Sequence, residues 1–329
     1  MKLSIIILSF FVLGTFASQT LSLSQSIALL VENALSASLT LIGTGFVAYS
    51  MVYLRLLSKG ISNQMIFCLL CCSFVNQCVI LATLFILLSS QMVADNTCKF
   101  FASVLQFTDL AQCFWILAIG GHMLMSYFVK SNLIKKNYFV FANVFVWGLS
   151  LILSIVPVNN YGMSEIWCTT TSVKWDFFTL YIFVFIVAIA ILIIYAAIIV
   201  KIVIQNKNIK FRYIFFKTGK RDIYGNNAKL DDVQTYEMIS LVRKMLVYPF
   251  LYIFAWVIPF INRFVELLGN DSPFWLQYIH CFTLPLLGFL NCLYYANDVS
   301  LNVRWRNYLR SWGKCFACIG EDEELIMED

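Results

Sequence analysis

Charge is the first thing this chain lacks. Of its 329 residues, 12% are Asp, Glu, Lys or Arg, set against 60% hydrophobic residues and a mean hydropathy of +0.80. Soluble chains carry about 25% charged residues, because a compact fold needs polar side chains to cover its surface. The shortfall excludes soluble enzymes, nucleic-acid-binding modules and disulfide-rich secreted scaffolds. Histidine is scarce too: His122 and His280 are the only two. A seven-span zinc hydrolase needs several His or carboxylate ligands, and Asp109 and His122 stand ~20 Å apart along a helix. No Lys lies between Phe274 and Tyr295, which excludes a retinal pigment. No enzymatic activity, metal or cofactor is expected. What the chain does have is aromatic residues, at 16%, as expected where Trp and Tyr collect at bilayer interfaces and Phe faces lipid. It reads as an integral membrane protein with membrane lipids as its first partner.

Met1-Lys2 followed by the apolar run Leu3–Leu13 and the small residues of Thr15-Phe16-Ala17 reads as a signal peptide over 1–17. At 11 residues the run is shorter than the ~20 needed to cross a bilayer. An uncleaved signal anchor would direct the following residues to the same side. Residues 18–33 then form a short extracellular N-terminus.

Seven later stretches are long and apolar enough to span: about 34–54, 65–88, 100–129, 138–158, 177–204, 245–268 and 274–295. Of the 23 Lys and Arg, 19 fall after spans one, three and five or in the C-terminal tail, and three (Lys99, Lys174, Arg263) fall on the opposite side. That asymmetry predicts an N-out, C-in topology. The fold class is therefore an all-α seven-transmembrane helix bundle over 34–298. The one long loop, 205–240, is expected to extend its flanking helices around a flexible middle. Beyond span seven, Leu301, Trp305, Tyr308, Leu309 and Trp312 make an apolar stripe, so 299–314 is expected to form an amphipathic interfacial helix. In the tail, 315–329, Cys315 and Cys318 suit lipidation at a juxtamembrane position. As a zinc or redox CxxC they lack a second pair or a nearby His.

Seven cysteines lie within spans, where packing explains them. Cys98 and Cys168 lie on the outer side, in oxidising surroundings. A disulfide between them would pin the loop between spans four and five over the bundle, provided their Cα atoms come within ~7 Å.

Ionisable residues inside a membrane are costly and mark candidate sites. Asp109 lies about 16 Å into span three from Cys98 at 1.5 Å per residue, and Gln106 and Gln112 share its face. A ligand contact, a bound cation or a structural network would each account for them. Asn76 and Gln77 in span two are expected to be interhelical hydrogen-bond partners, and His122 a packing residue. Asn262, Arg263 and Glu266 at the outer end of span six, with Gln277 and His280 at that of span seven, would converge in an outward-facing cleft, where Lys174 also belongs. Each taken alone is explained equally by interface anchoring. Span six carries Pro249 and Pro259, span seven Pro285 and Gly288, and each proline allows a bend.

These pieces resemble one known family. CFWILAIGGHML in span three holds Trp115. YPFLYIFAWVIPFINRF in span six holds Tyr248, Pro249, Trp256, Pro259, Asn262 and Arg263. LPLLGFLNCLYYAND in span seven holds Pro285, Asn291 and Tyr294. Together with Cys98 and Trp167-Cys168 they are similar to seven-helix G-protein-coupled receptors, particularly the cAMP-receptor-like (class E type) group. Two departures separate the chain from the rhodopsin-like class. Span three ends in Ser126-Tyr127-Phe128 without an acidic-Arg-aromatic triplet, and Asn291-Cys292-Leu293-Tyr294 stands where that class has Asn-Pro-x-x-Tyr.

The resemblance implies a plasma-membrane receptor that passes an extracellular ligand signal to a heterotrimeric G protein, with adenylate cyclase among the expected effectors. Gln106, Asp109, Gln112, Lys174, Asn262, Arg263, Gln277 and His280 would meet the ligand. Trp115, Tyr248, Pro249, Trp256, Pro259, Pro285, Asn291 and Tyr294 would form the switch. Lys135, Lys136, Arg243 and Lys244 would meet the G protein, although topology alone also explains basic residues on that side. The rival reading is a small-molecule or ion transporter, which would want paired ionisable groups near the midplane and broken helices in matching halves. Only Asp109 stands there, with no basic partner within the spans.

Overall fold

The computed structural model describes residues 23–88, 94–128, 132–164, 167–205, 230–269 and 272–296. The expected signal peptide, interfacial helix, Cys315, Cys318 and the centre of the long loop lie outside the described residues. Seven helices are long and apolar enough to cross a membrane: α1 (Leu23–Tyr53), α2 (Ile61–Leu88), α3 (Asp95–Phe128), α4 (Asn132–Ile155), α5, α6 (Leu230–Leu267) and α7 (Phe274–Ala296). In α5, Val173–Asp176 runs through a π-helical turn at Phe177–Tyr181 into Ile182–Gln205. The chain is a multi-pass membrane protein built as a seven-helix bundle.

The helices are turned inside out relative to a soluble bundle. Ile42, Phe85, Val144 and Phe254 point outward, each at least 70% exposed, as a lipid-facing surface requires. Ser36, Thr40, Thr44 and Ser73 face inward and are fully buried. Inside a bilayer, hydroxyls must find partners within the protein. Ser36 and Thr44 therefore donate back to carbonyls one turn earlier, and Thr40 Oγ1 donates across to the Pro285 carbonyl of α7. α3 is the most enclosed helix and touches α2, α4, α5 and α6.

Two boundaries differ from those read from hydropathy. α1 starts at Leu23 rather than near residue 34, because Glu32 and Asn33 are taken into the bundle as buried residues of a continuing helix. α6 starts at Leu230 and runs unbroken through both Pro249 and Pro259, so the loop does extend that helix. Gly269, with φ +81°, ends α6 in the left-handed conformation that glycine adopts without strain.

Between α4 and α5, β1 (Tyr161–Ser164) pairs antiparallel with β2 (Trp167–Thr170), with Met163 opposite Cys168. A disulfide joins Cys168 to Cys98 in α3 at a Cα–Cα separation of 5.1 Å. The Tyr161 hydroxyl donates to the Ser154 carbonyl at 2.8 Å, which fastens the hairpin to α4. Burial, reinforced by the nearby Asp176, pushes the Tyr161 phenol well above its ordinary range, so it remains a donor. The hairpin thus closes one end of the bundle, referred to below as the disulfide end.

Close packing of α1, α2 and α7 rests on Gly288. A Cβ there would fall 2.5 Å from Thr40 Cγ2 and 3.2 Å from Ser73 Cβ. Small residues at such crossings let membrane helices approach closely. Gly288→Ala is expected to destabilise the purified protein by about 1–3 kcal/mol, read as a lowered midpoint of thermal unfolding; an unchanged midpoint would show that the seam yields.

Candidate functional site

Beneath the hairpin, α2, α3, α5, α6 and α7 enclose a cavity of about 80 Å³. A single water needs about 10–15 Å³ measured this way, so the space holds several waters or a small solute. Helical spacing brings Gln106, Asp109 and Gln112 of α3 to its wall, and each is held differently. Gln106 Nε2 donates to Thr179 Oγ1 of α5 at 2.8 Å and to the Leu153 carbonyl of α4 at 3.2 Å. Gln112 Oε1 accepts from Ser73 Oγ of α2 at 2.8 Å. Asp109 is half-buried, and its Oδ1 accepts from Asn76 Nδ2 of α2 at 2.8 Å. Asn76 Nδ2 also lies 2.8 Å from Thr108 Oγ1, and Gln77 Nε2 donates to Asn76 Oδ1 at 3.1 Å. Asn76 is thus an interhelical partner as expected, whereas Gln77 bonds within its own helix.

The opposite wall carries a compact ionic group. Arg263 Nε of α6 lies 3.3 Å from Asp176 Oδ2 of α5, and its Nη1 lies 2.6 Å from Glu266 Oε2. The Asp176 contact is ionic rather than a hydrogen bond, since Nε has no hydrogen-bond partner. Asp176 Oδ1 accepts from Thr170 Oγ1 of β2 at 2.9 Å. One chain of contacts therefore ties the hairpin, α5 and α6 together. Beside it, Asn262 Nδ2 sits 3.2 Å from His280 Nδ1 of α7, and the Ser272 hydroxyl donates to Asn262 Oδ1. Trp167 of β2 stacks obliquely near His280, with ring centroids 6.2 Å apart.

Trp256 and Pro285, expected in the switch, both line the cavity. Trp256 meets Tyr181 edge-on at 5.9 Å and Tyr252 at 6.0 Å. Trp115 lies elsewhere: it is fully buried in the seam of α3 and α4, with ring centroids 5.7 Å from Trp147 and 6.4 Å from Phe139. Pro259 is buried within α6, and Asn291 is buried with no partner for its amide among the described residues. Tyr294 is half-buried in α7. Lys174 is exposed and Gln277 half-buried, and neither lines the cavity. His122 packs near Tyr138, with its Nδ1 3.4 Å from Ser62 Oγ. Tyr248, Pro249, Arg243 and Lys244 lie on α6, and Lys135 and Lys136 on α4.

Sequence reasoning passed over Asp176, Tyr181 and Thr179, and met Trp167 only as part of the resemblance. Asp176 sits one residue before the drawn start of span five, and its helix extends outward from that boundary. The available signal was a lone acid at the head of an apolar run, opposite in sign to Arg263.

Removing one partner of a buried ion pair leaves an uncompensated charge at a cost of about 3–5 kcal/mol. Arg263→Met is therefore expected to destabilise the protein by about that amount, and adding Asp176→Asn to recover part of the loss. Thermal unfolding of both single variants and the double variant measures the coupling; strictly additive effects would show that the pair is not coupled.

Residues 235–299, nearly all of α6 and the whole of α7, match a family model described as G protein-coupled glucose receptor regulating Gpa2, C-terminal part. No curated protein matches the chain at significance. The match supports the receptor part of the resemblance and carries it no further towards the cAMP-receptor-like class. A receptor-type match on a seven-helix membrane fold points to a non-enzyme. Across its last two membrane helices the chain is similar to G-protein-coupled receptors that regulate a Gα protein.

Proposed function

We propose that the protein is a plasma-membrane G-protein-coupled receptor whose disulfide end faces outward and takes a small polar ligand into the cavity beneath the hairpin. The orientation rests on the 19-to-three distribution of Lys and Arg. One observation carries the reading. α6 presents Arg263 and Trp256 to the cavity and runs on to Arg243 and Lys244, about 30 Å further along the same helix at 1.5 Å per residue. A ligand that contacts Arg263 or Trp256 differently in two placements of α6 shifts the population of its far end. There Arg243, Lys244, Lys135 and Lys136 would meet a Gα subunit of the kind the matched family regulates, with adenylate cyclase as a downstream effector. The tail would anchor to the inner leaflet through lipidation of Cys315 and Cys318.

The ionic group bears on the ligand's charge. Arg263 is already held by Asp176 and Glu266, so an anionic ligand such as cAMP would have to displace two carboxylates. This weighs against the cAMP-receptor-like assignment of ligand. The ligand is instead a solute that donates hydrogen bonds. Glucose, which the matched family's description names, satisfies that much.

Purified receptor in lipid nanodiscs is expected to accelerate nucleotide exchange on a Gα subunit, and the double substitution Arg243→Ala, Lys244→Ala to lower that rate while surface expression is kept. Exchange that is undiminished in a normally expressed double variant would remove these residues from the docking surface. No exchange from wild-type protein with any Gα tested would contradict the receptor reading.

A further inference from the structure

The polar chain on the α2–α3 wall ends at an amide oxygen, which can only accept, and at a carboxyl group. Asp109 Oδ1 is an acceptor, so the Asn76 atom bonded to it is the amide nitrogen. That fixes Asn76 Oδ1 as the acceptor for Gln77, and Gln77 must use Nε2 there. Gln77 Oε1 is then left over. It is buried, has no hydrogen-bond partner, and belongs to a side chain only 3% exposed that lines the cavity. Asp109 Oδ2 is likewise without a hydrogen bond among the described residues. An unmet buried acceptor is costly, and an ionised carboxylate offset by only neutral amide and hydroxyl groups is costlier still.

The charge of the walls specifies what meets them. Asp176 and Arg263 offset one another, Glu266 adds a further carboxylate to Arg263, and Asp109 has no cation beside it among the described residues. A neutral polyol would supply donors but no counter-charge for the Asp109 carboxyl, which an ammonium supplies together with its donors. A metal ion would find two free oxygens where hard cations want six or more, and no group of three or more His, Cys, Asp or Glu among the described residues is placed to hold one. The remaining walls mix aliphatic side chains, among them Ile80, Leu105, Leu180 and Leu287, with the aromatic Trp167, Tyr181 and Trp256, and aromatic faces attract organic cations. We propose that Gln77 Oε1 and Asp109 Oδ2 form an acceptor subsite for a primary ammonium group, so that the cavity takes a small organic amine. This rests on the cavity being the receptor's ligand site.

The test uses the full-length protein in nanodiscs and a series of primary ammonium chlorides, from methylammonium to phenethylammonium. Each is compared with its neutral alcohol and with NaCl at equal ionic strength. Thermal unfolding reports binding through the stabilisation it confers. The expected result is stabilisation by ammoniums above both controls, with apparent affinity about 10- to 100-fold weaker in Asp109→Asn, the worth of one charge-assisted hydrogen bond. Gln77→Leu, which removes the other acceptor, is expected to weaken binding in the same direction. Equal stabilisation by amine and alcohol, no stabilisation by any member of the series, or undiminished binding in Asp109→Asn would each overturn the proposal. The comparison on wild-type protein decides if the variants fail to fold. Nucleotide exchange separates the two readings. Ammonium binding without exchange would keep the subsite and remove the receptor role. Exchange driven by D-glucose with no ammonium binding would keep the receptor and remove the subsite.

Discussion

Arg263 cannot sit among apolar helices unless its charge is met on the spot. With little water in reach, a buried guanidinium is tolerated only with well-placed counter-charges. Asp176 from α5 and Glu266 from the next turn of α6 supply them, at 3.3 and 2.6 Å. Much of the disulfide end follows from that requirement. Asp176 must stay helical and face inward, so α5 extends outward beyond its apolar run. Thr170 hydrogen-bonds the same carboxylate, which draws β2 over the bundle, and the Cys98–Cys168 disulfide fixes that strand to α3. The cavity is the space this arrangement leaves between an acidic α3 wall and a neutralised α5–α6 wall.

The same constraint suits a receptor better than a rigid scaffold. A pair spanning two helices holds them in one relation only while its geometry persists, and a polar ligand competes for those atoms. Neighbouring contacts across helices, such as Asn262 with His280 and Tyr181 with Trp256, are of the kind that exchange partners in discrete steps. By contrast, the α1–α2–α7 seam at Gly288 and the aromatic packing of Trp115 against Trp147 are steric and permit little change. In the proposed receptor, α6 and α5 would accordingly be the elements that move, against a frame of α1, α2, α3, α4 and α7.

The architecture was legible because span length and hydropathy are set by the bilayer alone, residue by residue. Seven apolar runs became seven helices, and two cysteines assigned to one side became a disulfide. The face shared by Gln106, Asp109 and Gln112 followed from helical spacing, and all three line the cavity. What could not be read depends on contacts between distant segments. Asp176 lies just outside the apolar run of span five, and only Arg263, far along the chain, requires it inside. The resemblance places Trp115 with the switch residues, and its packing against Trp147 and Phe139 of α4 shows only in three dimensions. Lys174 and Gln277 fell on the right end of the bundle, but their positions around their helices turn them from the cavity wall.

The central claim is that the polar cavity at the disulfide end and the far end of α6 are coupled. Coupling of this kind is reciprocal, so a partner bound at one end must alter the other. Hydrogen–deuterium exchange of the full-length protein in nanodiscs, with and without a nucleotide-free heterotrimeric G protein, measures this without knowledge of the ligand. The account predicts altered protection both near Arg243 and Lys244 and across β2, the start of α5 and the Arg263 end of α6. Protection confined to the G-protein end, with the cavity segments unchanged, would contradict it.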